Sequence, residues 1–260
     1  MMTETQDRPI IRVQDVTVAY DDFVVLRDIN FEVQAGEVFV ILGGSGCGKS
    51  TLLKCMIGLH RPVRGRVLID GMNIVTAEGV DLLAILRTIG VMYQNGALFG
   101  SMTLLENLCL VLEEFTDLPR GAREQVARTK LQAVNLEGAE HKMPAELSGG
   151  MRKRAALARA MVLDPKILFL DEPSAGLDPI NSAQLDALIL KLARTLGMTF
   201  VIVTHELPSI YTVADRAILL DTRTKTIVAT GKPSELRDRS GDPWVRQFLN
   251  RRAEVSAGST

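Results

Sequence analysis

The chain has 260 residues, 47% of them hydrophobic, and a formal net charge of −1. This length and apolar content allow one large domain with a substantial core. A nearly neutral chain lacks the surplus of Lys and Arg that a general nucleic-acid-binding protein needs, so no nucleic-acid partner is expected. The three cysteines lack Cys-x-x-Cys spacing, which argues against a disulfide framework or a zinc site and suits a reducing cytoplasm.

Neither end of the chain suggests a membrane segment. The start is polar and acidic, unlike a secretory signal peptide, and no apolar run approaches the roughly 20 residues that cross a bilayer. We therefore expect a soluble chain whose link to any membrane comes through a partner. Residues 251–260 are expected to form a short disordered tail.

Short alternating segments come first along the chain. Ile11–Val13, Val16–Val18 and Ile29–Val33 are predicted to pair in a small antiparallel sheet. The continuous apolar run Val38–Leu42 is typical of a buried parallel strand, and Lys49–Ile57 is predicted to be a helix. Further strands are predicted at Arg66–Asp70, Ile89–Tyr93, Ile167–Leu170, Thr199–Val203 and Ala217–Leu220.

Helices are predicted between these groups of strands. Thr103 and Glu106 form a capping box that begins the first helix, and Pro119 is expected in the first turn of the second. A third helix is predicted from about Gly149 to Val162. A fourth is expected to begin after the N-cap Asp178, with Pro179 at its first position, and to end at Gly197.

The segment from Gly43 to Ser50 fits the phosphate-binding pattern G-x-x-x-x-G-K-[ST]. Its glycines let backbone N–H groups curl around an anion, Lys49 places a cation against the β/γ-phosphates, and the Ser50 hydroxyl can ligate Mg²⁺. A glycine-rich turn is the alternative, but the strand–loop–helix setting favours nucleotide binding. The residues expected to contact nucleotide here are Gly43, Gly44, Ser45, Gly46, Cys47, Gly48, Lys49, Ser50 and Thr51.

Two carboxylates, Asp171 and Glu172, end an apolar strand about 120 residues after this loop. Asp171 is expected to reach Mg²⁺ through a water, and Glu172 to polarise the water that attacks the γ-phosphate. The alternative is an acidic strand end that is simply solvated.

The sequence Leu-Ser-Gly-Gly-Met at Leu147–Met151 predicts a second helix start that binds phosphate. Ser148 is a good N-cap, and Gly149 and Gly150 leave the first N–H groups open to an anion. One nucleotide cannot easily use both helix starts of one subunit, so a second copy of the chain is expected. An ordinary Ser-capped helix is the alternative, and the basic run Arg152–Arg154 is interpreted as a solvated helix face.

Leu147–Met151 resembles the signature motif of ATP-binding-cassette (ABC) ATPases, although that family usually has glutamine in place of Met151. Other motifs of the family follow in its order: Gln94 resembles the Q-loop glutamine, Ser174–Asp178 the D-loop, His205 the switch histidine and Tyr20 the aromatic residue that stacks on adenine.

This resemblance implies an α/β fold in a single ABC ATPase domain, residues 10–250. It would have a P-loop NTPase (RecA-like) core at about 10–98 and 164–240. An N-terminal antiparallel β subdomain and an inserted α-helical subdomain at about 99–163 would complete it.

The resemblance also implies hydrolysis of ATP with Mg²⁺. Glu172, His205, Lys49 and Gln94 would be catalytic, and Ser50, Gln94 and Asp171 would surround the metal. Two copies would pair head-to-tail, with ATP between Lys49 of one subunit and Ser148 of the other. The remaining implied nucleotide contacts are Tyr20, Gly149, Gly150 and Asp178.

Gln94–Phe99 and Asp242–Leu249 also resemble the ATPase subunits of Mla/Mce-type phospholipid transporters, and Met143–Ala160 partly reflects the wider family. The implied function is to power phospholipid movement between the inner and outer membranes, from the cytoplasmic face of the inner membrane. The implied partners are a permease docking near Gln94–Leu105, an Mce-domain lipid-binding subunit and a STAS-domain subunit, with phospholipid as indirect cargo. Phe99, Met102, Leu104 and Leu105 are expected to offer the permease an apolar surface. Internal packing of the helical insertion is the alternative.

Two other functions remain open at this point. An importer ATPase for a small polar solute shares every catalytic motif. A non-transport ABC protein in DNA repair, chromosome organisation or translation is the second. The lack of a second cassette, a zinc motif, a long coiled coil or a basic tail counts against the non-transport function.

Overall fold

A computed structural model describes residues 8–250; the start of the chain and the predicted tail at 251–260 lie outside the described residues. Within them no helix is both long and apolar enough to cross a membrane. The strands are β1 (Ile11–Tyr20), β2 (Phe23–Val33), β3 (Val38–Gly43), β4 (Arg64–Ile69), β5 (Met72–Asn73), β6 (Ile89–Met92), β7 (Ile167–Asp171), β8 (Thr199–Val203), β9 (Arg216–Asp221) and β10 (Thr226–Gly231). The helices are α1 (Lys49–Met56), α2 (Gly79–Thr88), α3 (Leu104–Phe115), α4 (Arg120–Ala133), α5 (Gly149–Ala160), α6 (Pro179–Leu196), α7 (Leu207–Val213), α8 (Pro233–Arg239) and α9 (Pro243–Leu249), with a 3₁₀ turn at Pro144–Glu146.

The central sheet has the strand order β10-β9-β3-β8-β7-β6. Its strands from β9 to β6 pair in parallel, and β10 is an antiparallel edge strand. Along β3, Val38 and Val40 pack into one hydrophobic core, while Phe39 and Ile41 pack into another on the opposite face. Burial on both faces explains why the predicted run was continuously apolar.

A second, antiparallel sheet has the order β2-β1-β4-β5, so two of its strands follow α1 in the chain. The prediction of separate strands at Ile11–Val13 and Val16–Val18 was wrong, because both belong to β1. The register with β2 shifts between Val13 and Val16, where Asp15 has a φ of 50°. One bulge residue therefore interrupts the alternation without ending the strand.

Helices α3, α4 and α5 follow β6. The capping box of α3 is confirmed: Thr103 Oγ1 accepts from Glu106 N at 3.2 Å, and the Glu106 carboxylate accepts from Thr103 N at 2.7 Å. Pro119 precedes α4 as its N-cap instead of lying in the first turn, because its ψ of 155° is extended. The predicted boundaries of α6 are confirmed, with Asp178 as N-cap and Gly197 as left-handed C-cap.

Both ends of α5 contact neighbouring elements at glycines. A Cβ on Gly150 would lie 2.6 Å from Asn181 Oδ1 at the start of α6. A Cβ on Gly90 in β6 would lie 2.0 Å from Ala160 O, at the end of α5. The helix backbone therefore presses directly on the central sheet at its C-terminal end.

Helices α7, α8 and α9 were not predicted. Tyr211 of α7 donates its hydroxyl to Leu249 O at 2.6 Å, and the rings of Trp244 and Phe248 lie 5.6 Å apart. The first contact ties the end of α9 back to α7, and the second lies within α9.

Candidate functional site

The phosphate-binding loop connects β3 to α1. Gly43 has a φ of 153°, and a Cβ there would lie 2.7 Å from Leu220 O. Gly48, with a φ of 97°, is the N-cap of α1 and makes no side-chain capping bond. The first N–H groups of α1 are therefore without a side-chain cap and free to bind an anion at the positive end of the helix.

Lys49, the first residue of α1, folds back over this loop. Its Nζ donates to Gly43 O at 2.8 Å and to Gly44 O at 3.0 Å. The loop carbonyls thus hold the ammonium group beside the same turn that offers N–H groups to an anion. This places a cation where a bound phosphate needs one.

Asp171 ends β7 and faces the start of α1. Ser50 Oγ lies 3.4 Å from Asp171 Oδ1. Burial and the neighbouring Glu172 charge raise the pKa of Asp171, which Ser50, Lys54 and Lys49 partly offset. A carboxylate that is costly to ionise without a cation suits a cation site.

The oxygen donors around Ser50 fit Mg²⁺. A hydroxyl, the Asp171 carboxylate and the amide of Gln94 are the hard ligands that this ion prefers. Residues 8–250 contain no cluster of three or more His, Cys, Asp or Glu side chains that could hold a metal by themselves. The set therefore matches an ion shared with nucleotide phosphate and water, as Mg²⁺ commonly is.

Glu172 is the most constrained acid of the site. Its φ is 47°, a left-handed conformation that is costly for a residue with a side chain. Its N–H donates to Val203 O at 2.8 Å, and its Oε2 accepts from Thr204 Oγ1 at 3.0 Å. His205 Nδ1 lies 2.7 Å from Glu172 Oε1. With 9% of its surface exposed, the carboxylate is held in one orientation.

A cavity of about 540 Å³ joins these elements. All four predicted catalytic residues line it together with part of the phosphate loop. Its lining consists of Gly43, Gly44, Ser45, Gly46, Lys49, Ser50, Gln94, Glu172, His205, Leu207 and Phe248.

Several predicted nucleotide contacts do not line this cavity. Ser148 caps α5, accepting from Met151 N at 3.2 Å, and Asp178 caps α6 through Ile180 N and Asn181 N, both at 3.0 Å. Tyr20, 45% exposed at the end of β1, contacts the ring of His60, with centroids 4.8 Å apart. Gly149, Gly150, Asp171 and the loop residues Cys47, Gly48 and Thr51 are also outside the lining.

The expectation of a solvated face at Arg152–Arg154 was wrong for Lys153, which is 8% exposed. Its Nζ donates to Gln94 O at 2.6 Å and to Glu172 O at 3.2 Å. Its burial could have been predicted from the sequence, because Lys153 shares a helix face with the buried Ala156 and Leu157. Thr204 was also not predicted; its position directly after β8 was the sequence signal that could have placed it at the site. The sequence contains no signal that would place Leu207 or Phe248 there.

The expected apolar docking surface is smaller than predicted. Leu104 is fully buried and Leu105 is 8% exposed, so both belong to the core, whereas Phe99 is 51% exposed. The apolar positions of α3 mostly serve the packing of their own chain.

Comparison with known proteins identifies the family. The family model described as ABC transporter matches residues 26–175. The probable ribonucleotide transport ATP-binding protein mkl of Mycobacterium leprae is 45% identical over 93% of this chain and 69% of its own length. The intermembrane phospholipid transport system ATP-binding protein MlaF of Escherichia coli K12 is 39% identical over 93% of this chain and 88% of MlaF.

Solved structures agree with the fold. The dimeric cassette MJ0796, bound to ADP and Pi, superposes with a TM-score of 0.77 at 31% identity, covering 85% of this chain and 98% of that one. The cbiO1 subunit from Clostridium perfringens gives a TM-score of 0.81 at 28% identity, over 94% and 97%. The chain therefore belongs to the ABC transporter family, in which it is an ATPase of the MlaF type.

Proposed function

We propose that this chain powers a transporter that moves phospholipids between the inner and outer membranes. The observation that carries the proposal is the similarity to MlaF along nearly the whole of both chains. The segments Gln94–Phe99 and Asp242–Leu249, which resemble this transporter type, add to it. In this proposal the chain acts at the cytoplasmic face of the inner membrane, bound to a permease.

The geometry supports a role for each predicted site residue. Lys49 would hold the β/γ-phosphates of ATP, and Ser50, Asp171 and Gln94 would hold Mg²⁺, which would neutralise phosphate charge. Glu172 polarises the attacking water, since Thr204 and His205 fix its carboxylate. His205 would lie on the γ-phosphate side, and the exposed Tyr20 at the end of β1 would stack on adenine.

The second half of the site would come from another copy of the chain. Ser148, Gly149 and Gly150 begin α5 outside the cavity, and Asp178 begins α6 beside them. A head-to-tail dimer would bring them to the partner's nucleotide, and MJ0796 was solved as a dimer. We retain the proposed domain of residues 10–250, with its helical part at about 99–163.

The proposed permease contact lies near Gln94–Leu105. The fully buried Asn107 organises this segment: its Oδ1 accepts from Phe99 N at 2.8 Å, and its Nδ2 donates to Phe99 O and Met102 O, each at 3.1 Å. The exposed Phe99 side chain therefore lies on a loop that the hydrogen bonds of Asn107 hold in place. An Mce-domain lipid-binding subunit and a STAS-domain subunit complete the proposed complex.

Glu172→Gln tests the hydrolytic site. Removing the positioned base should lower ATP turnover by about 10²–10⁴-fold while ATP still binds. Turnover by the full chain and binding of a fluorescent ATP analogue would be measured side by side. Wild-type turnover in this variant would remove Glu172 from the mechanism.

The cargo is tested by purifying the chain with its membrane complex in mild detergent. Phospholipid in the complex, with ATPase activity that rises when phospholipid is added, is the expected result. The similarity to mkl, described as a probable ribonucleotide transport ATP-binding protein, supports a second candidate, an ATPase for a small polar solute. A complex without lipid whose ATPase activity responds to ribonucleotides would favour that candidate.

The permease contact has its own test. Phe99→Asp should abolish co-purification of the permease, because it places a charge in an apolar contact. Leu196→Asp is the matched control, since Leu196 is similarly exposed, 55% against 51% for Phe99, but lies at the end of α6. Equal loss of the permease with both variants would contradict the assigned surface.

A further inference from the structure

Lys153 is a buried lysine that the ATPase chemistry described above does not use. It lies in the second turn of α5, five residues after Ser148, and is 8% exposed. Lysine is almost never fully buried unless its charge is paired. Burial lowers the pKa of Lys153, and the carboxylates of Glu172 and Asp171 partly offset this. A position that is unfavourable for a cation points to a specific task for it.

The Lys153 ammonium group forms hydrogen bonds to two loops, each of which follows one of two neighbouring strands. Its donors reach Gln94 O at 2.6 Å, beyond β6, and Glu172 O at 3.2 Å, beyond β7. β6 and β7 pair in parallel, so both loops leave the same edge of the sheet. Charge-assisted hydrogen bonds of this kind are roughly twice as strong as neutral ones.

These bonds complete the fixation of the Glu172 backbone. Val203 O accepts from the Glu172 N–H at 2.8 Å, while the Glu172 carbonyl accepts from Lys153 Nζ and from Ala175 N, each at 3.2 Å. Between these bonds, Glu172 has the left-handed φ of 47°. Without Lys153, only the Ala175 N–H within the same loop would hold the carbonyl, and the backbone could relax toward a more favourable conformation that turns the carboxylate away.

We propose that Lys153 is a positioning residue that orients Glu172 and Gln94 together for ATP hydrolysis and links them to the helix that begins at Ser148. This inference rests on the proposed roles of Glu172 and Gln94. Because Lys153 and Ser148 belong to the same helix, a contact made at Ser148 is transmitted to both loops by a rigid element. Lys153 itself does not line the cavity that would hold the nucleotide.

The main test compares Lys153→Met with Lys130→Met. Methionine keeps the length and removes the charge; Lys130 of α4 is also largely buried, with 12% of its side chain exposed and an ion pair to Asp164. Lys153→Met should lower kcat for MgATP about 10- to 100-fold with KM within about threefold. Lys130→Met should leave kcat within about twofold while lowering Tm.

A purely structural role would give a different result. If Lys153→Met lowers Tm as Lys130→Met does and keeps kcat, the proposal is overturned. Should Lys153→Met fail to fold, Lys153→Gln serves in its place. Its amide can still reach one carbonyl, so we expect a partial loss of kcat; normal kcat in a folded Lys153→Gln protein would also overturn the proposal.

A double variant separates this inference from the proposed function. If Lys153 acts through Glu172, adding Lys153→Met to Glu172→Gln should reduce single-turnover hydrolysis less than about threefold further. A further loss as large as in the wild-type background would overturn the proposal. Wild-type turnover in Glu172→Gln alone would instead refute the proposed hydrolytic site.

Discussion

Two helices of this molecule, α1 and α5, begin beside glycines, yet their first turns are completed differently. The N-cap of α1 is Gly48, with a φ of 97° and no side-chain capping bond. The N-cap of α5 is Ser148, whose hydroxyl accepts from Met151 N. The N-terminus of α1 therefore has backbone N–H groups without a side-chain cap, and Lys49 lies beside them. The N-terminus of α5 is already a stable helix start, and we infer that it gains a phosphate only when a second molecule brings one.

Lys49→Ala tests the first half of this comparison and should have the largest effect. Loss of the charged donor should weaken MgATP binding to the isolated chain about 10- to 100-fold. Lys54→Ala is the control, because Lys54 is exposed in the last turn of the same helix. Equilibrium binding of a fluorescent ATP analogue would measure both, and unchanged affinity in Lys49→Ala would contradict the assignment.

Ser148→Ala tests the second half. ATP affinity of the isolated chain should stay within about twofold, whereas the ATP-dependent dimer of the Glu172→Gln chain should weaken at least about tenfold. Loss of the cap should also cost about 1 kcal/mol of stability. Sedimentation of the ATP-loaded chain would measure the dimer.

Thr103→Ala provides the matched control for Ser148→Ala. Thr103 caps α3 and should lose a similar capping energy, with no change in the dimer of the isolated chain. Equal weakening of the dimer by both variants would show that the cap acts through stability alone.

Asp171→Asn tests the acidic side chain that faces the N-terminus of α1. Because the folded-state pKa of Asp171 is raised, its contribution to stability is present below its unfolded pKa and is lost as pH rises through the folded value. The variant should therefore have a higher Tm than wild type at pH 7 without nucleotide. The gain should vanish below the unfolded pKa of about 3.9. A lower Tm at pH 7 would contradict the prediction.

Asp186→Asn is the companion to that experiment. Burial also raises the pKa of Asp186, partly offset by Ser209, so the change in Tm should have the same sign. Asp186 lies within α6, and the Mg²⁺ concentration needed for turnover should stay unchanged. In Asp171→Asn the Mg²⁺ concentration needed for turnover should rise, because an amide is a weaker ligand for Mg²⁺ than the carboxylate that it replaces.

Met151→Gln should have the smallest effect. The contact of Met151 with the Ser148 hydroxyl is made by its backbone N–H, and the side chain packs at the edge of the core. Substitution with the residue usual in the family should leave turnover within about twofold. A change of tenfold or more in either direction would give the Met151 side chain a role in the second half-site.

Local patterns in the sequence predicted much of the nucleotide site. The segment Gly43–Ser50 carries its own geometry, because the glycine spacing, the preceding apolar strand and the following helix all lie within one short stretch. Helix caps such as Thr103 and Asp178 were likewise predictable, since each bond joins residues only two or three positions apart.

The remaining features depend on packing between distant segments. Phe248 reaches the cavity because α9 docks on α7, a contact between residues 38 positions apart. Leu104 and Leu105 looked available to a partner, but an apolar helix face has the same sequence pattern whether its own core or another protein covers it. Lys153 was misread because charge in its sequence neighbours suggested solvent.

The glycine at position 90 brings the C-terminal end of α5 into direct contact with the central sheet. Because Ala160 O packs against the Gly90 backbone, we infer that this end of the helix moves least when α5 tilts. The helix has 12 residues, about 18 Å, so a tilt of about 10° would carry its Ser148 end through about 3 Å. Lys153, nearer the middle, would travel less than Ser148. A displacement at the subunit boundary would thus reach the hydrolytic carboxylate reduced by somewhat less than half, because Lys153 lies about 10 Å from Ala160 along the helix.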